Sequence, residues 1–312
     1  MSKRIVILGG AGYIGTSLCN YLVKKNYNVT CFDSFWFGDK LDKRVKKIRG
    51  DIRKNSFKFF KDKDVIINLA YLANDPLCEI DARGTWEIGP LAVYSSLEAS
   101  VKYKVKKYIF ASSGSIYGLK KEKKVTENLG LDPITDYNKS KMICEQVLKS
   151  FSDKIDTVSL RPATVCGSSP RLRLDVVLNL FCYQAYFEKK IKILGGNQIR
   201  PILHIDDMIR VYEFFIKKKI CGVFNVGFEN IKIKDLANSV KKIFPCEIQI
   251  KKSNDPRSYR MNSDKLISIG FKPYYNHLDA IYDLKQQFEN KFKPGIINWN
   301  LAWLEKKKII TK

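Results

Sequence analysis

Long apolar runs are missing from this 312-residue chain; none approaches the roughly 20 residues that a membrane-spanning helix needs. The first one, Ile5-Val6-Ile7-Leu8, follows Met-Ser-Lys-Arg and stops at Gly9, too short for the apolar region of a secretion signal. A soluble, cytoplasmic protein without a membrane partner is expected. Histidine is scarce. His204 lies in an apolar stretch with no nucleophile or metal partner in sequence and reads as structural, and His277 carries no signal. None of the eight cysteines (Cys19, Cys31, Cys78, Cys144, Cys166, Cys182, Cys221 and Cys246) forms a Cys-x-x-Cys pair, which removes the zinc and dithiol spacings. Most stand in apolar stretches, where a reduced thiol is an ordinary small core residue. No metal is expected. Acidic residues are few, 32 against 56 Lys and Arg, leaving a formal charge of +24. The basic runs, at Lys102–Lys107, Lys120–Lys124, Lys217–Lys219 and Lys306–Lys308, are dispersed, and lysine outnumbers arginine, whereas base readout favours arginine. No aromatic–basic RNA-binding motif is present. The charge therefore reads as a solvated lysine surface, with no nucleic-acid partner, whose field can steer an anionic substrate.

What is present is a core-forming composition, 45% apolar, with strand-like and helix-like runs in alternation. Ile5–Leu8 reads as a strand buried on both faces. A helix is expected from Gly12 to Lys25, with strands at Asn28–Phe32, Val65–Leu69, Lys107–Ala111 and Thr157–Leu160 and a helix at Tyr137–Phe151. The alternation predicts an α/β fold: a Rossmann-type doubly wound parallel sheet with a smaller, discontinuous C-terminal substrate lobe. Further on, Asp175–Phe187 and Asp207–Lys217 read as helices, and Ile202–Ile205 and Val223–Val226 as strands rejoining the main sheet. Residues 1–165 plus about 202–227 form the expected dinucleotide-binding domain, and about 166–201 plus 228–312 the substrate lobe.

The turn Gly9-Gly10-Ala11-Gly12-Tyr13-Ile14-Gly15 lies between the first strand and the first helix. Glycines there let the backbone turn tightly and approach a pyrophosphate, and a helix N-terminus favours its charge. Asp33 ends the second strand, where a carboxylate holds adenosine ribose hydroxyls and repels a 2′-phosphate. No arginine follows it, which favours NAD over NADP. Gly50-Asp51-Ile52 follows the third strand and borders the adenine position, with Asp51 near its amino group, while Leu69-Ala70 lets the cofactor cross the sheet edge.

Tyr137 and Lys141 stand four apart, on one helix face. A free tyrosine, with a pKa near 10, is too weakly acidic to act as a base at neutral pH. A nearby ammonium and an oxidised nicotinamide would lower that value, and Lys141 can also bond the nicotinamide ribose. Ser113, at the end of the fifth strand, is placed to hydrogen-bond the reacting oxygen.

Nearly the whole chain resembles the extended short-chain dehydrogenase/reductases of the NAD-dependent epimerase/dehydratase type. The resemblance rests on Gly9/Gly12/Gly15, Asp33, Gly50-Asp51-Ile52, Ser112–Gly118, Tyr137/Lys141, Arg161-Pro162, Arg200–Asp207, Phe224–Gly227 and Asp255–Arg260. It implies a nucleoside-diphosphate sugar as substrate, a homodimer joined by two helices per subunit (Thr85–Tyr103 and Tyr137–Phe151), and NAD contacts from Tyr13, Ile14, Ser34, Ile52 and Pro162. It also implies substrate contacts from Ser113, Thr164 and Asn179, and phosphate contacts from Arg200 and Arg257. Family dehydratases resemble one another in an acid pair after the catalytic serine or threonine; Gly114 and Ser115 occupy those places here and offer no carboxylate. Family asparagines are replaced by Gly89 and Thr164, with Pro90 beside Gly89, so a kinked helix is expected. The segment Arg161–Asp175 is similar to a subgroup serving surface-polysaccharide sugars, GDP-linked heptoses among them. The expected chemistry is NAD-dependent oxidation of a sugar hydroxyl at C4, ending in a released ketone or, after reduction on the other face, in a 4-epimer. A non-catalytic NAD-binding scaffold is the alternative of another class.

Overall fold

Short apolar runs bounded by glycine, aspartate or lysine become the strands of a parallel sheet in the computed structural model, which describes residues 2–252 and 259–309. The first half of the chain forms β1 (Arg4–Leu8), α1 (Tyr13–Lys24), β2 (Asn28–Asp33), β3 (Lys46–Arg49), β4 (Val65–Asn68), α2 (Asp75–Ile80), α3 (Ala82–Trp86), α4 (Ala92–Lys102), β5 (Lys107–Ala111), α5 (Asp136–Ser150) and β6 (Asp156–Pro162). The second half forms β7 (Thr164–Cys166), α6 (Val177–Tyr183), β8 (Lys190–Leu194), β9 (Ile199–His204), α7 (Ile205–Lys217), β10 (Gly222–Val226), β11 (Glu229–Lys232), α8 (Ile233–Ile243), β12 (Glu247–Lys251), α9 (Asp264–Ser268), α10 (His277–Glu289) and α11 (Asn300–Lys306). None of the described helices is long and apolar enough to cross a membrane.

Seven strands make the main sheet, in the order β10-β6-β5-β4-β1-β2-β3, all parallel. β1 explains why its sequence does not alternate. Ile5 and Ile7 belong to one core and Val6 and Leu8 to the other, on the opposite face, and all four are fully buried. Each such side chain contributes about 1.5–3 kcal/mol relative to exposure. Successive strands are added outward in both directions from β1 and β4, so the crevice for a ligand opens at their carboxyl ends.

One expected strand does not rejoin this sheet. β9 pairs in parallel with β7 and antiparallel with β11, forming a separate three-stranded sheet. The edge beside β6 is taken by β10, and β7 continues the chain just past Pro162, so β9 adds to that extension instead. The helix expected at Thr85–Tyr103 is broken. Glu87–Leu91 forms a wide turn between α3 and α4, with Gly89 out of helical geometry (ψ −106) and Pro90 unable to donate a backbone hydrogen bond.

α5 carries two site residues and is fixed at its start and near its middle. Thr135 caps it, its hydroxyl accepting the Asn138 N–H. Near its middle Glu145 receives Arg161 of β6 at 2.6 Å, both side chains being buried, and Arg161 also donates to the Tyr117 hydroxyl at 2.7 Å. The pair locks the helix to the sheet at one register.

Candidate active site

The glycine turn leaves no room for a side chain at Gly9, Gly10 or Gly15. Gly9 has a left-handed backbone (φ +76), and a Cβ there would lie 2.6 Å from the Ala70 nitrogen. Gly12, Tyr13, Ile14 and Gly15 face a cleft of about 870 Å³, toward the upper end of the usual size for ligand sites. Asp33, Ser34, Asp51, Ile52, Leu69, Ala70 and Pro162 line the same cleft. Two N–H groups orient the Asp33 carboxylate, Ala11 at 2.9 Å and Phe35 at 2.7 Å, one to each oxygen. Burial raises its pKa, and those two hydrogen bonds oppose the rise. Asp51 is engaged by Arg53 at 2.6 Å, which holds its carboxyl below the usual range although burial works in the other direction. A glycine cradle that a Cβ would fill, a helix start facing the cleft and an oriented carboxylate at a strand end fit a dinucleotide.

The sheet and α5 bring Ser113, Tyr137 and Lys141 into this cleft. Ser113 follows the end of β5, its Oγ 2.7 Å from the Ser115 Oγ, and Ser115 in turn donates to Asn138 of α5. Burial pushes the Tyr137 phenol above its ordinary value, and the hydrogen bond with Ser113 works against that rise. Lys141 lies among the rings of Tyr71, Phe110 and Tyr137. Its ammonium donates to the Ala111 carbonyl at 2.6 Å and stands 3.5 Å from the ring centroid of Tyr71, against 5.8 Å for Tyr137. Burial pulls Lys141 down to about 7. Tyr71 therefore takes the near position that the sequence argument gave to Tyr137.

Thr164, Arg200 and Tyr259 also line the cleft. Arg257 lies outside the described residues. Asn179 is not on the cleft wall. Fully buried, it donates to the Arg173 carbonyl at 2.8 Å and accepts the Gly167 N–H at 3.0 Å, so it braces residues 167–173, whereas the resemblance implied a substrate contact. His204 caps α7, its Nδ1 accepting the Asp206 N–H at 3.1 Å, which leaves Nε2 carrying the proton 3.2 Å from Asp283. Gly114 and Ser115 bring no carboxylate, but Asp75, at the start of α2, lines the cleft within electrostatic reach of Tyr137.

Sequence reasoning passed over Tyr71, Arg171 and Arg173, all lining the cleft. Residues 167–173 strap across the first turn of α1. The Tyr13 hydroxyl donates to the Gly167 carbonyl at 2.7 Å, and the Ser169 hydroxyl to the Tyr13 carbonyl at 2.9 Å. Arg171, buried over the Phe37 ring at 3.7 Å, donates to Asn300 and keeps an unpartnered Nε. Burial, with Arg173 nearby, lowers its pKa to about 9. The available signal was two arginines, Arg171 and Arg173, in an otherwise apolar stretch of the segment that stood out in sequence.

The model of the NAD dependent epimerase/dehydratase family matches residues 5–227. The chain belongs to this family. A UDP-glucose 4-epimerase of Lactobacillus helveticus is 26% identical over 89% of this chain and 94% of its own. A UDP-glucuronic acid 4-epimerase from Bacillus cereus, solved with UDP-glucuronic acid and NAD, superposes with a TM-score of 0.83 at 27% identity, covering 93% of this chain and all of that one. A UDP-N-acetylglucosamine 4-epimerase from Methanobrevibacter ruminantium M1 superposes at 0.85 with 23% identity, covering 92% and 99%, a likeness of fold.

Proposed function

We propose that this family member binds NAD in the glycine cradle and oxidises the C4 hydroxyl of a nucleoside-diphosphate sugar. The observation that carries the reading is the convergence of Ser113, Tyr137 and Lys141 on the cleft lined by Gly9, Gly12, Gly15 and Asp33. Bound NAD would supply the hydride acceptor. Gly9, Gly12 and the start of α1 would receive its diphosphate, and Asp33 its ribose hydroxyls. The Tyr137 oxygen would take the hydroxyl proton as the C4–H bond gives up its hydride, leaving a C4 carbonyl. Ser113 would donate to the reacting oxygen, and Lys141 would favour the phenolate. Thr164, Arg200 and Arg257 would face the nucleotide sugar, with the arginines on its phosphates.

For the product, the similarity of Arg161–Asp175 to the surface-polysaccharide subgroup supports release of a 4-keto sugar, with GDP-D-glycero-α-D-manno-heptose as substrate. That outcome needs the reduced cofactor to exchange or to be reoxidised by another carbonyl compound. The relatives named as 4-epimerases favour a second reading, in which the ketone is reduced on its other face. Incubation with GDP-heptose and with UDP-hexoses separates them: a released ketosugar supports the dehydrogenase, and an epimer without net reduction supports the second reading. Tyr137→Phe should lower turnover by roughly 10²–10⁴-fold while NAD binding, followed by fluorescence, persists; wild-type turnover would reject the assignment. The proposed assembly is a homodimer through α3–α4 and α5.

A further inference from the structure

Gly89 and Tyr71 are complementary. A Cβ at Gly89 would lie 2.5 Å from the Tyr71 hydroxyl oxygen and 3.0 Å from its Cζ, so only glycine leaves the ring its place. Thus seated, the Tyr71 hydroxyl bonds the Ser140 Oγ at 2.6 Å, its ring meets Tyr137 edge-on at 5.7 Å between centroids, and its face lies 3.5 Å from the Lys141 ammonium. The ring of Phe110 stands 4.7 Å from the same ammonium. Among the described residues no carboxylate is paired with Lys141, whose ammonium donates to the Ala111 carbonyl. An ammonium in such a dry site is stabilised by the negative face of an aromatic ring.

We infer that Tyr71, admitted by Gly89, is a positioning residue that holds the Lys141 ammonium charged beside Tyr137. The inference rests on the reading of Tyr137 as the base. Lys141 is acted on by Cys78, Cys144 and Glu145, and Tyr137 by Ser113, Cys78, Asp75 and Arg173. Burial, Cys78 and Asp75 oppose the phenolate and Arg173 favours it, and the Lys141 ammonium, 5.8 Å from the centre of the Tyr137 ring, is a second cation close to it. If the ring is removed, less ammonium survives at neutral pH, and Tyr137 needs a higher pH to ionise.

The test is the pH profile of kcat/KM for the purified, NAD-loaded full chain on the nucleotide sugar that it turns over. Tyr71→Leu should move the acidic limb up by about one pH unit and lower kcat/KM at pH 7 about tenfold, the order expected for a desolvated cation–π contact. The conservative Tyr71→Phe, which keeps the ring and loses only the bond to Ser140, should leave the limb within a few tenths of a unit of wild type. Gly89→Ala displaces the ring by contact and should move the limb in the same direction, which gives a second reading if Tyr71→Leu does not fold. An unmoved or lowered limb in the folded variant, with Tyr137→Phe inactive in the same assay, overturns this inference alone. An active Tyr137→Phe overturns it together with the reading of the site.

Discussion

Burying Lys141 sets the stability of the free protein against its chemistry. The side chain is 3% exposed and its pKa falls from an unfolded value near 10.4 to about 7. Between these values the unfolded chain binds more protons than the native one, so this group's contribution to stability improves as pH rises from about 7 toward 10.4. Its penalty is fully present below 7. Lys141→Met should therefore melt higher than wild type at pH 6, by on the order of 5 °C, with the gap closing by pH 10, while turnover is lost; thermal scans across pH check both signs. Arg171 offers a second residue-scale prediction. Its buried, unpartnered Nε on the cleft wall makes Arg171→Met weaken NAD by roughly 10-fold in a fluorescence titration, since a charge-assisted hydrogen bond contributes about 1.5–3 kcal/mol. At this scale the glycine turn, Asp33 and the Tyr137–Lys141 pair were legible because local spacing defines each of them. Tyr71 was not, since its place depends on Gly89, eighteen positions away in sequence and adjacent only after folding. Asn179, a substrate contact by resemblance alone, is turned inward to satisfy the backbone of Gly167 and Arg173.

α5 works as an element because its register is fixed from two sides, by the Thr135 cap and by the buried Glu145–Arg161 pair. Glu145→Ala would leave Arg161 buried and unpaired and should destabilise the fold by about 3–5 kcal/mol in a denaturant titration. A loss below about 1 kcal/mol would mean that the helix is held by packing alone. The strands of the main sheet were readable from their unbroken apolar runs, β1 above all, since burial on both faces leaves no alternation to be confused by. The run Ile202–Ile205 also reads as buried strand, and its sheet was misassigned because hydrophobicity records burial and does not name the neighbour. That neighbour was settled by β10 taking the edge beside β6. The break at Glu87–Leu91 was legible from the Gly89-Pro90 pair.

For the whole molecule, the proposed dimer face is the exposed apolar ridge of Trp86, Leu91 and Tyr94, beside the half-buried Met142, Ile143 and Val147 of α5. Leu91 is 64% exposed, an unusual position for leucine on a helical face without a partner. Light scattering should give twice the chain mass for wild type and the chain mass for Leu91→Asp combined with Tyr94→Asp; equal masses would reject this face as the interface. The net charge of +24 belongs to this scale as well. It should speed capture of an anionic nucleotide sugar, an effect that fades as salt rises. The central claim is that Tyr137, Ser113 and Lys141 convert a sugar hydroxyl to a ketone next to bound NAD. Its most direct test is a nucleotide sugar deuterated at C4, incubated with the NAD-loaded protein and followed by mass spectrometry of sugar and cofactor. The account predicts that the label leaves C4 for the cofactor in wild type, or returns to C4 with inverted configuration, and does neither in Tyr137→Phe. Deuterium that stays on an uninverted C4 while product accumulates would contradict it.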